Sequence, residues 1–199
     1  MKYSIAVVAF ILLAFGSCEK DEIVNENLVV ALSNQEQEDL TFLREEEKLA
    51  RDVYIYAYDK YNQIIFSNIS NSEQSHMDKI LSLLLKYNIT DPAENDIEGV
   101  FINEDLQSLY DQLTVKVDSS YNDALIVGAT IEDLDIHDIS TFIINTNNVD
   151  LLNAYEVLTC GSRNHLRSFV GQLGTYTPVY LSQNEYDVII NSPNEQCGN

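Results

Sequence analysis

Several acidic and imidazole side chains occupy sequence positions where apolar side chains would be expected. Each interrupts an apolar stripe whose steps alternate between three and four residues, the pattern of a helix packed against other helices. They are Glu47, Glu73, His76, Glu132, Asp135 and His165. Burying several ionised carboxylates without a positive partner costs many kcal/mol, and the stripes carry no lysine or arginine. The pattern therefore predicts a metal ion among these side chains.

The spacing within two of the helices favours one shared site. Glu73 and His76 are three residues apart, as are Glu132 and Asp135, so each pair projects from one helix face. A Glu-x-x-His pair on a bundle helix is the ligand spacing of di-iron and di-manganese carboxylate proteins. Oxygen and imidazole ligands without thiolate suit iron, manganese or zinc. We expect iron, with manganese or zinc as the alternatives, and one or two ions.

Other side chains near these positions have simpler interpretations. Tyr54 shares the stripe of Glu47 and either hydrogen-bonds a ligand or fills the core, and the core is the favoured interpretation. Glu45 and Glu46 precede Glu47 in a charge run of the kind that usually forms a solvated face. His137 lies off its stripe beside an aspartate and is expected to be exposed.

The apolar stripes predict four long helices and an all-α chain. The helices are placed at about 36–60, 63–88, 119–145 and 149–173. Short connections join the members of each pair, and a long connection, about 90–118 with a short helix at 104–113, joins the pairs. Two antiparallel hairpins with one long crossover form the ferritin-like arrangement of a four-helix bundle. If Glu47 faces Glu73 and His76 across a hairpin, the turn should fall near residue 61, where Tyr61-Asn62 stands.

The last part of the chain carries its own stop and start signals. Gly174 is of the residue type that most commonly ends a helix, and Ser182 with Glu185 forms the pattern of a capping box, which predicts a short C-terminal helix. The bundle domain is therefore placed at 36–192 and a tail at 193–199.

The first residues resemble a bacterial lipoprotein signal. Lys2 precedes the apolar run Ile5 to Phe15, which is too short to span a bilayer easily, and small residues lead to Cys18. This predicts a signal peptide at 1–17, a lipidated Cys18, and a tether at 18–35 that anchors the protein to the membrane. The acidic residues after Cys18 resemble a tag that directs lipoproteins to the outer surface, so we expect an outer-membrane lipoprotein of the cell envelope. The alternative is an ordinary secretory signal with a chance cysteine.

Charge and the remaining cysteines limit the partners. The formal net charge is −21, and such a chain repels nucleic acid and anionic lipid headgroups. The hydrophobic fraction of 45% is sufficient for a folded core. An exported chain meets oxidising conditions, so Cys160 and Cys197 form either a disulfide or two thiols. A homodimer is left open.

The site segments resemble those of the rubrerythrin and ferritin superfamily. The matching patterns are Glu47-x-x-Ala50-Arg51-x-x-Tyr54, Glu73-x-x-His76, Glu132-x-x-Asp135 and the His165 position. More closely, the run from Leu43 to about Ser192 resembles an uncharacterised prokaryotic ferritin-like domain family. The superfamily resemblance implies metal ligands at these positions. The sequence departs from the superfamily pattern at two places. Ser162, beside the ligands, stands where the superfamily has a glutamate, and Asp135 is a shorter acid than the glutamate at its place.

The sequence leaves three functions open. A two-metal site could activate dioxygen or reduce peroxide, which would make the protein an oxidase or a peroxidase. Glu47 and Glu132 would then bridge or cap the ions, and His76 and His165 would anchor them. The same site could bind or store metal without turnover. The third function is that of a structural or interaction module in which the bundle serves as a scaffold. The departures at Ser162 and Asp135 leave a single ion and an altered pair as alternatives to a full di-iron centre.

Overall fold

The protein is all-helical over residues 31–198, which are the residues that the computed structural model describes. Six helices lie in this range, and they are α1 (Asn34–Tyr61), α2 (Ile64–Lys86), α3 (Glu104–Val117), α4 (Tyr121–Asn145), α5 (Val149–Leu173) and α6 (Gln183–Ile190). The prediction of an all-α chain is confirmed. The four long helices begin and end within two residues of their predicted bounds, whereas α3 continues past its predicted end at 113 to Val117. The predicted signal peptide, Cys18 and most of the tether lie outside the described residues.

Local sequence explains where the helices begin and end. Ser33 caps α1 through a capping box with Glu36, and the Asn148 side chain accepts hydrogen bonds from the first amides of α5. α1 ends at Asn62, whose backbone has a φ of 50°, a left-handed conformation that asparagine tolerates better than most residues. α5 ends at Gly174, where φ is 77° and glycine carries no Cβ penalty.

The four long helices pack as two hairpins. α1 packs most extensively on α2 and α4 on α5, while α1 also packs on α4 and α2 on α5. The hairpin connections are the short segments 62–63 and 146–148, and the connection from α2 to α4 contains α3, which packs on α1 and α4. The arrangement places every candidate ligand on a helix that faces two others.

Two apolar clusters lie along the packed helices with a polar layer between them. Phe66 and Phe169 belong to the larger cluster, and Ile80 and Leu158 belong to the smaller one. On each of the four long helices the predicted ligands fall between residues of the two clusters. The ligands are therefore held by dry, packed side chains on both sides, a setting that strengthens electrostatic interactions.

The crossover is fixed to α1 by buried charged side chains. Glu45 accepts hydrogen bonds from the backbone amides of Ile102 at 2.6 Å and Asn103 at 3.1 Å. The Lys48 ammonium contacts the Asp52 carboxylate at 2.5 Å and is fully buried. The expectation that Glu45 lies on a solvated face is therefore wrong, because the crossover covers that face of α1 and needs acceptors for its amides.

The C-terminal segment is attached to α4 and α5. The Asp133 carboxylate accepts hydrogen bonds from the backbone amides of Val179, Tyr180 and Leu181, and a disulfide joins Cys160 of α5 to Cys197, with Cα atoms 5.4 Å apart. No helix within residues 31–198 is both long enough and apolar enough to cross a membrane.

Candidate metal centre

The six predicted ligands lie in the polar layer and are all buried. Their exposed fractions are at most 8%, the value for His165. α1 contributes Glu47, α2 contributes Glu73 and His76, α4 contributes Glu132 and Asp135, and α5 contributes His165. Four helices therefore bring carboxylates and imidazoles to one level of the fold.

Glu73 lies at the middle of the group and contacts both histidines. Its Oε2 atom is 2.8 Å from Nδ1 of His76, and its Oε1 atom is 2.8 Å from Nδ1 of His165. The two imidazole rings are nearly parallel, with centroids 5.7 Å apart. The Glu73 carboxylate thus lies between the two histidines and contacts one with each oxygen.

Each histidine also lies near a second carboxylate. Oε2 of Glu47 is 3.1 Å from Nδ1 of His76, and Oε2 of Glu132 is 3.4 Å from Nδ1 of His165. The first group is therefore Glu47, Glu73 and His76, and the second group is Glu73, Glu132 and His165; within each group the ligand atoms lie within 4.8 Å of one another.

The distances match those between ligands that share an ion. Two nitrogen or oxygen atoms about 2.1 Å from one metal ion are about 3.0 to 3.4 Å apart at angles between 90° and tetrahedral. The contacts of Glu47 and Glu132 with the histidines fall in that range, and the two Glu73 contacts are slightly shorter. Although Oε1 of Glu73 and Nδ1 of His165 are close, neither has a hydrogen-bond partner of acceptable geometry.

Asp135 lies beside the two groups and does not belong to either. The Ser162 hydroxyl lies within hydrogen-bond distance of Oδ2 of Asp135 and, at 2.9 Å, of the Leu158 carbonyl, and its one proton can be donated to either oxygen. The Oδ1 atom of Asp135 is buried and has no hydrogen-bond partner. The shorter side chain and the serine thus form a pair of their own at the position where the sequence resemblance implies a further glutamate.

Tyr54 contacts the second group directly. Its hydroxyl donates a 2.5 Å hydrogen bond to Oε1 of Glu132, and its ring packs near Phe66 and Phe169. Both interpretations of Tyr54 from the sequence therefore apply. The bond leaves Oε2 of Glu132 to face His165.

Two residues that the sequence did not single out position the histidines. The Ser72 hydroxyl is 3.0 Å from Nε2 of His165; with the proton on Nε2, this nitrogen donates to the hydroxyl and Nδ1 presents its lone pair to the second group. Gly161 lies against His76, and a Cβ atom at this glycine would be 2.5 Å from Nε2 of the ring. A side chain here would displace His76.

Glu46 was also missed, and the expectation that it lies on a solvated face is wrong. Its exposed fraction is 2% and neither carboxylate oxygen has a hydrogen-bond partner. α1 is covered on several sides by α2, α4 and the crossover, so positions off its apolar stripe are buried as well. His137, in contrast, is exposed as expected and bonds Asp138.

The charges of the groups oppose one another strongly. Burial lowers the pKa of His76, but Glu47 and Glu73 outweigh it and hold the pKa well above its ordinary value. For His165 burial acts in the same direction, and Glu73 and Glu132 raise the pKa to about 10. Without a metal ion these shifts favour the protonated form of both imidazoles, which places positive charge beside the carboxylates.

The acids respond in two ways. Burial raises the pKa of Glu73, yet the two histidines outweigh it and lower the pKa below its ordinary value. Burial and neighbouring acids raise the pKa of Glu47 well above its ordinary value and also raise that of Glu132. Burial and Glu132 raise the pKa of Asp135 to about 7. The site contains more acid than two imidazolium ions can neutralise.

The side chains suit a metal ion because of their donor atoms and because several of these atoms lack a hydrogen-bond partner. Buried atoms without a hydrogen-bond partner are rare in folded proteins, and here several of them converge on the two groups. They include Oε1 of Glu47, Oε1 of Glu73, Oδ1 of Asp135 and Nδ1 of His165. Carboxylate oxygen with imidazole nitrogen is a donor set for iron, manganese or zinc.

Comparisons with other proteins identify a family and a relative whose descriptions name no activity. A family model described as an uncharacterized protein domain (DUF2202) matches residues 36–193. The chain is 52% identical over 169 residues to uncharacterized protein MJ0754 of Methanocaldococcus jannaschii, covering 83% of this chain and 91% of that protein. The crystal structure of hypothetical protein MJ0754 from Methanococcus jannaschii is similar, with a TM-score of 0.82 and coverage of 83% of this chain and 97% of that one.

Proposed function

The chain belongs to the uncharacterized protein domain family DUF2202, and from its buried carboxylates and histidines we propose that it is a two-metal protein with a ferritin-like four-helix bundle. The bundle is supported by the packing of α1 on α2, of α4 on α5, and of the two hairpins on each other. The single long crossover, which contains α3, is the connection found in ferritin-like bundles. The resemblance of the ligand segments to rubrerythrins and ferritins is independent support.

The observation that carries the proposal is the position of Glu73. Its two oxygens contact the Nδ1 atoms of two different histidines, so the carboxylate lies where a ligand bridging two ions would lie. Glu47 with His76 would complete one position, and Glu132 with His165 the other. Three protein ligands at each position leave room for water or a small oxygen species, as in catalytic metal sites. This arrangement favours two ions over one.

Iron is the first expectation for the metal and manganese the second, with zinc as the third. Iron held at both positions would supply two electrons, one from each ion, which with two protons from solvent would reduce hydrogen peroxide to two water molecules, and an external reductant would then restore the iron. The protein side chains would keep the ligand set rigid, since Ser72 fixes His165 and Tyr54 fixes Glu132. An oxidase or peroxidase is therefore the function that the geometry supports best.

A structural network without metal is the second candidate, and the same contacts favour it when both histidines are protonated. Each imidazolium would then neutralise the carboxylates of its group. Against it, Nδ1 of His165 and Oε1 of Glu73 do not meet hydrogen-bond geometry. A buried ion pair that relied on direct bonding needs excellent geometry to offset the loss of hydration.

Metal content separates the two candidates. The full chain, purified from cells supplied with iron and manganese, is expected to contain two ions per chain by elemental analysis. The double variant His76→Ala/His165→Ala is expected to contain none, and Glu73→Gln to lose at least one ion. Glu156→Gln, on the exposed surface of α5, is the matched control for removal of one carboxylate. Metal-free wild-type protein whose Tm the double variant leaves unchanged would contradict the proposal.

Turnover separates catalysis from storage. The iron-loaded full chain is given hydrogen peroxide and a reductant, and peroxide loss is followed against the zinc-loaded protein, which cannot change oxidation state. We expect peroxide to be consumed in proportion to the bound iron and over many cycles. Stable iron binding with no more peroxide loss than the zinc form would assign the protein to metal binding or storage.

We propose a location in the cell envelope on the sequence alone. The lipid anchor would be attached at Cys18, which lies outside the described residues, and the folded part would face away from the membrane. Incorporation of labelled palmitate that is lost in Cys18→Ala tests this location, and an unlabelled wild-type protein would contradict it.

A further inference from the structure

Glu46 is a buried carboxylate that the two metal positions do not use. It precedes Glu47 on α1, only 2% of its surface is exposed, and no hydrogen-bond donor reaches either oxygen. Leaving a buried charged group without a partner is among the more expensive defects in a protein interior. A cation is the natural partner of such a group, and within the described residues no lysine, arginine or histidine forms an ion pair with it.

The charged groups around Glu46 are other acids. Burial raises the pKa of Glu46 well above its ordinary value, and Asp135 and Asp138, three residues apart on α4, and Glu47 raise it further, Asp138 also through a side-chain hydrogen bond. When ionised, Glu46 and Asp138 are both acceptors, so neither can satisfy the other. They can only share a proton or hold a cation between them.

Exposure falls from Asp138 to the other acids. The Asp138 side chain is 23% exposed and is bonded to the exposed His137, whereas Glu46, Glu47 and Asp135 are at most 5% exposed. Glu46 is next to Glu47 on α1, and Asp135 is one turn from Asp138 on α4, so a partly exposed carboxylate lies one turn from the buried ones.

The geometry points to a passage for divalent cations, in which Asp138 and Glu46 hold an incoming ion transiently and transfer it to the ligands beside Asp135. This inference rests on the proposed two-metal function and adds how the centre is loaded. Two carboxylates without a histidine hold a divalent ion weakly, which suits transfer better than storage. The net charge of −21 raises the concentration of cations near the protein surface.

His165 offers a second approach to the centre. The His165 side chain is 11% exposed, and Ser72 beside it is partly exposed. Cations that entered there would pass between α2 and α5 and would not meet Glu46. The two approaches therefore differ in whether the Glu46 and Asp138 carboxylates affect the rate of loading.

Loading kinetics of the metal-free full chain test the passage. Co²⁺ alone is the probe, mixed by stopped flow and followed by its absorption, and release is measured into excess chelator. The variants are Glu46→Gln and Asp138→Asn, which keep shape and remove charge, with Glu156→Gln as the control for net charge. The Asp138 variant is at the partly exposed end, so it tests the passage independently of any folding defect caused by a change at the buried Glu46.

We expect both variants to slow loading by about tenfold and to slow release by a similar factor, because a site on the path affects both directions. The number of bound ions and the Kd should change little, and Glu156→Gln should load at the wild-type rate. Variants that load at the wild-type rate would overturn the passage and leave the two-metal function intact. Loss of one bound ion without slower loading would also overturn it, because Glu46 would then hold a resident ion. Wild-type protein that takes up no Co²⁺, Fe²⁺ or Mn²⁺ would overturn the two-metal function and, with it, the passage.

Discussion

A substitution at Ser72 tests whether His165 is a metal ligand, because Ser72 contacts His165 and is not itself a proposed ligand. Its hydroxyl is 3.0 Å from Nε2 of His165, and this bond keeps the Nδ1 atom directed at Glu73 and Glu132, where its lone pair would bind the metal ion once the ring is deprotonated. In Ser72→Ala the ring loses its partner, and the free imidazole can place its proton on either nitrogen.

The expected loss can be estimated from the role of such hydrogen bonds. Removing the partner of a metal-binding histidine typically costs 10–100-fold in metal affinity, or about 1.4 to 2.8 kcal/mol. Ser72 is partly exposed, so water can replace part of the bond. We therefore expect the lower end of the range, about tenfold in Kd for the ion bound by His165, with little change for the ion bound by His76.

The control is the same substitution one turn further along α2. Ser75 is exposed and its hydroxyl donates to the Asn71 carbonyl at 3.1 Å, so Ser75→Ala should leave both affinities unchanged. Competition between the full chain and a chromophoric chelator gives the two dissociation constants. Equal affinities in Ser72→Ala, Ser75→Ala and wild type would refute the assignment of Nδ1 of His165 as a metal ligand.

Three further outcomes follow from the structure. The metal-free protein should lose stability between pH 6.5 and 10, because the stabilisation from protonated His165, whose pKa is about 10, is lost as the pH rises. The rise in Tm on metal binding should grow over the same pH range, because the ligands must be deprotonated. Calorimetry of the metal-free and metal-bound forms checks this, and parallel curves of Tm against pH would contradict it. Tyr54→Phe removes the hydrogen bond to Glu132 and should destabilise the metal-free fold by about 1–3 kcal/mol, because a buried carboxylate oxygen loses its partner. Its Tm should fall accordingly and metal should restore most of the loss; an unchanged metal-free Tm would argue against the bond. Cys197→Ser opens a loop whose ends, Cys160 and Cys197, are 37 residues apart and should destabilise the fold by up to about 4 kcal/mol in the chain-entropy model without altering metal content, which denaturant titration and elemental analysis would check.

The helices were predictable because their signals are local. Apolar stripes with steps of three and four fixed the four long helices, and Asn62 and Gly174 ended two of them for reasons that the residue types carry. The core position of Glu73 and His76 followed from the same stripes, since a polar residue on an apolar stripe must be buried with its partners.

Burial off the stripes was not predictable in the same way. Glu45 and Glu46 looked like a solvated run because a stripe reports one face of a helix, whereas α1 is also covered by the crossover and α4. The crossover amides that Glu45 binds are 57 and 58 residues away in sequence. Such contacts depend on how the chain returns, which local periodicity does not encode.

Details within the site depend on contacts between helices that local sequence does not encode. The sequence placed Glu47 and Glu132 as the candidates to bridge or cap the ions, but in the structure it is Glu73 that faces both histidines. Ser72 gave no signal because a serine next to a ligand is common for structural reasons. The pairing of Asp135 with Ser162 depends on the relative height of α4 and α5, which spacing gives only to within a turn.

The most direct test of the two-metal centre is a crystal structure of the iron-loaded full chain with anomalous diffraction data collected at the iron edge. We expect two anomalous peaks about 3.5–4 Å apart, one near Nδ1 of His76 and one near Nδ1 of His165, with a Glu73 oxygen adjacent to each. A single peak, or iron bound only at surface carboxylates while the histidines keep their direct contacts with Glu73, would contradict the account.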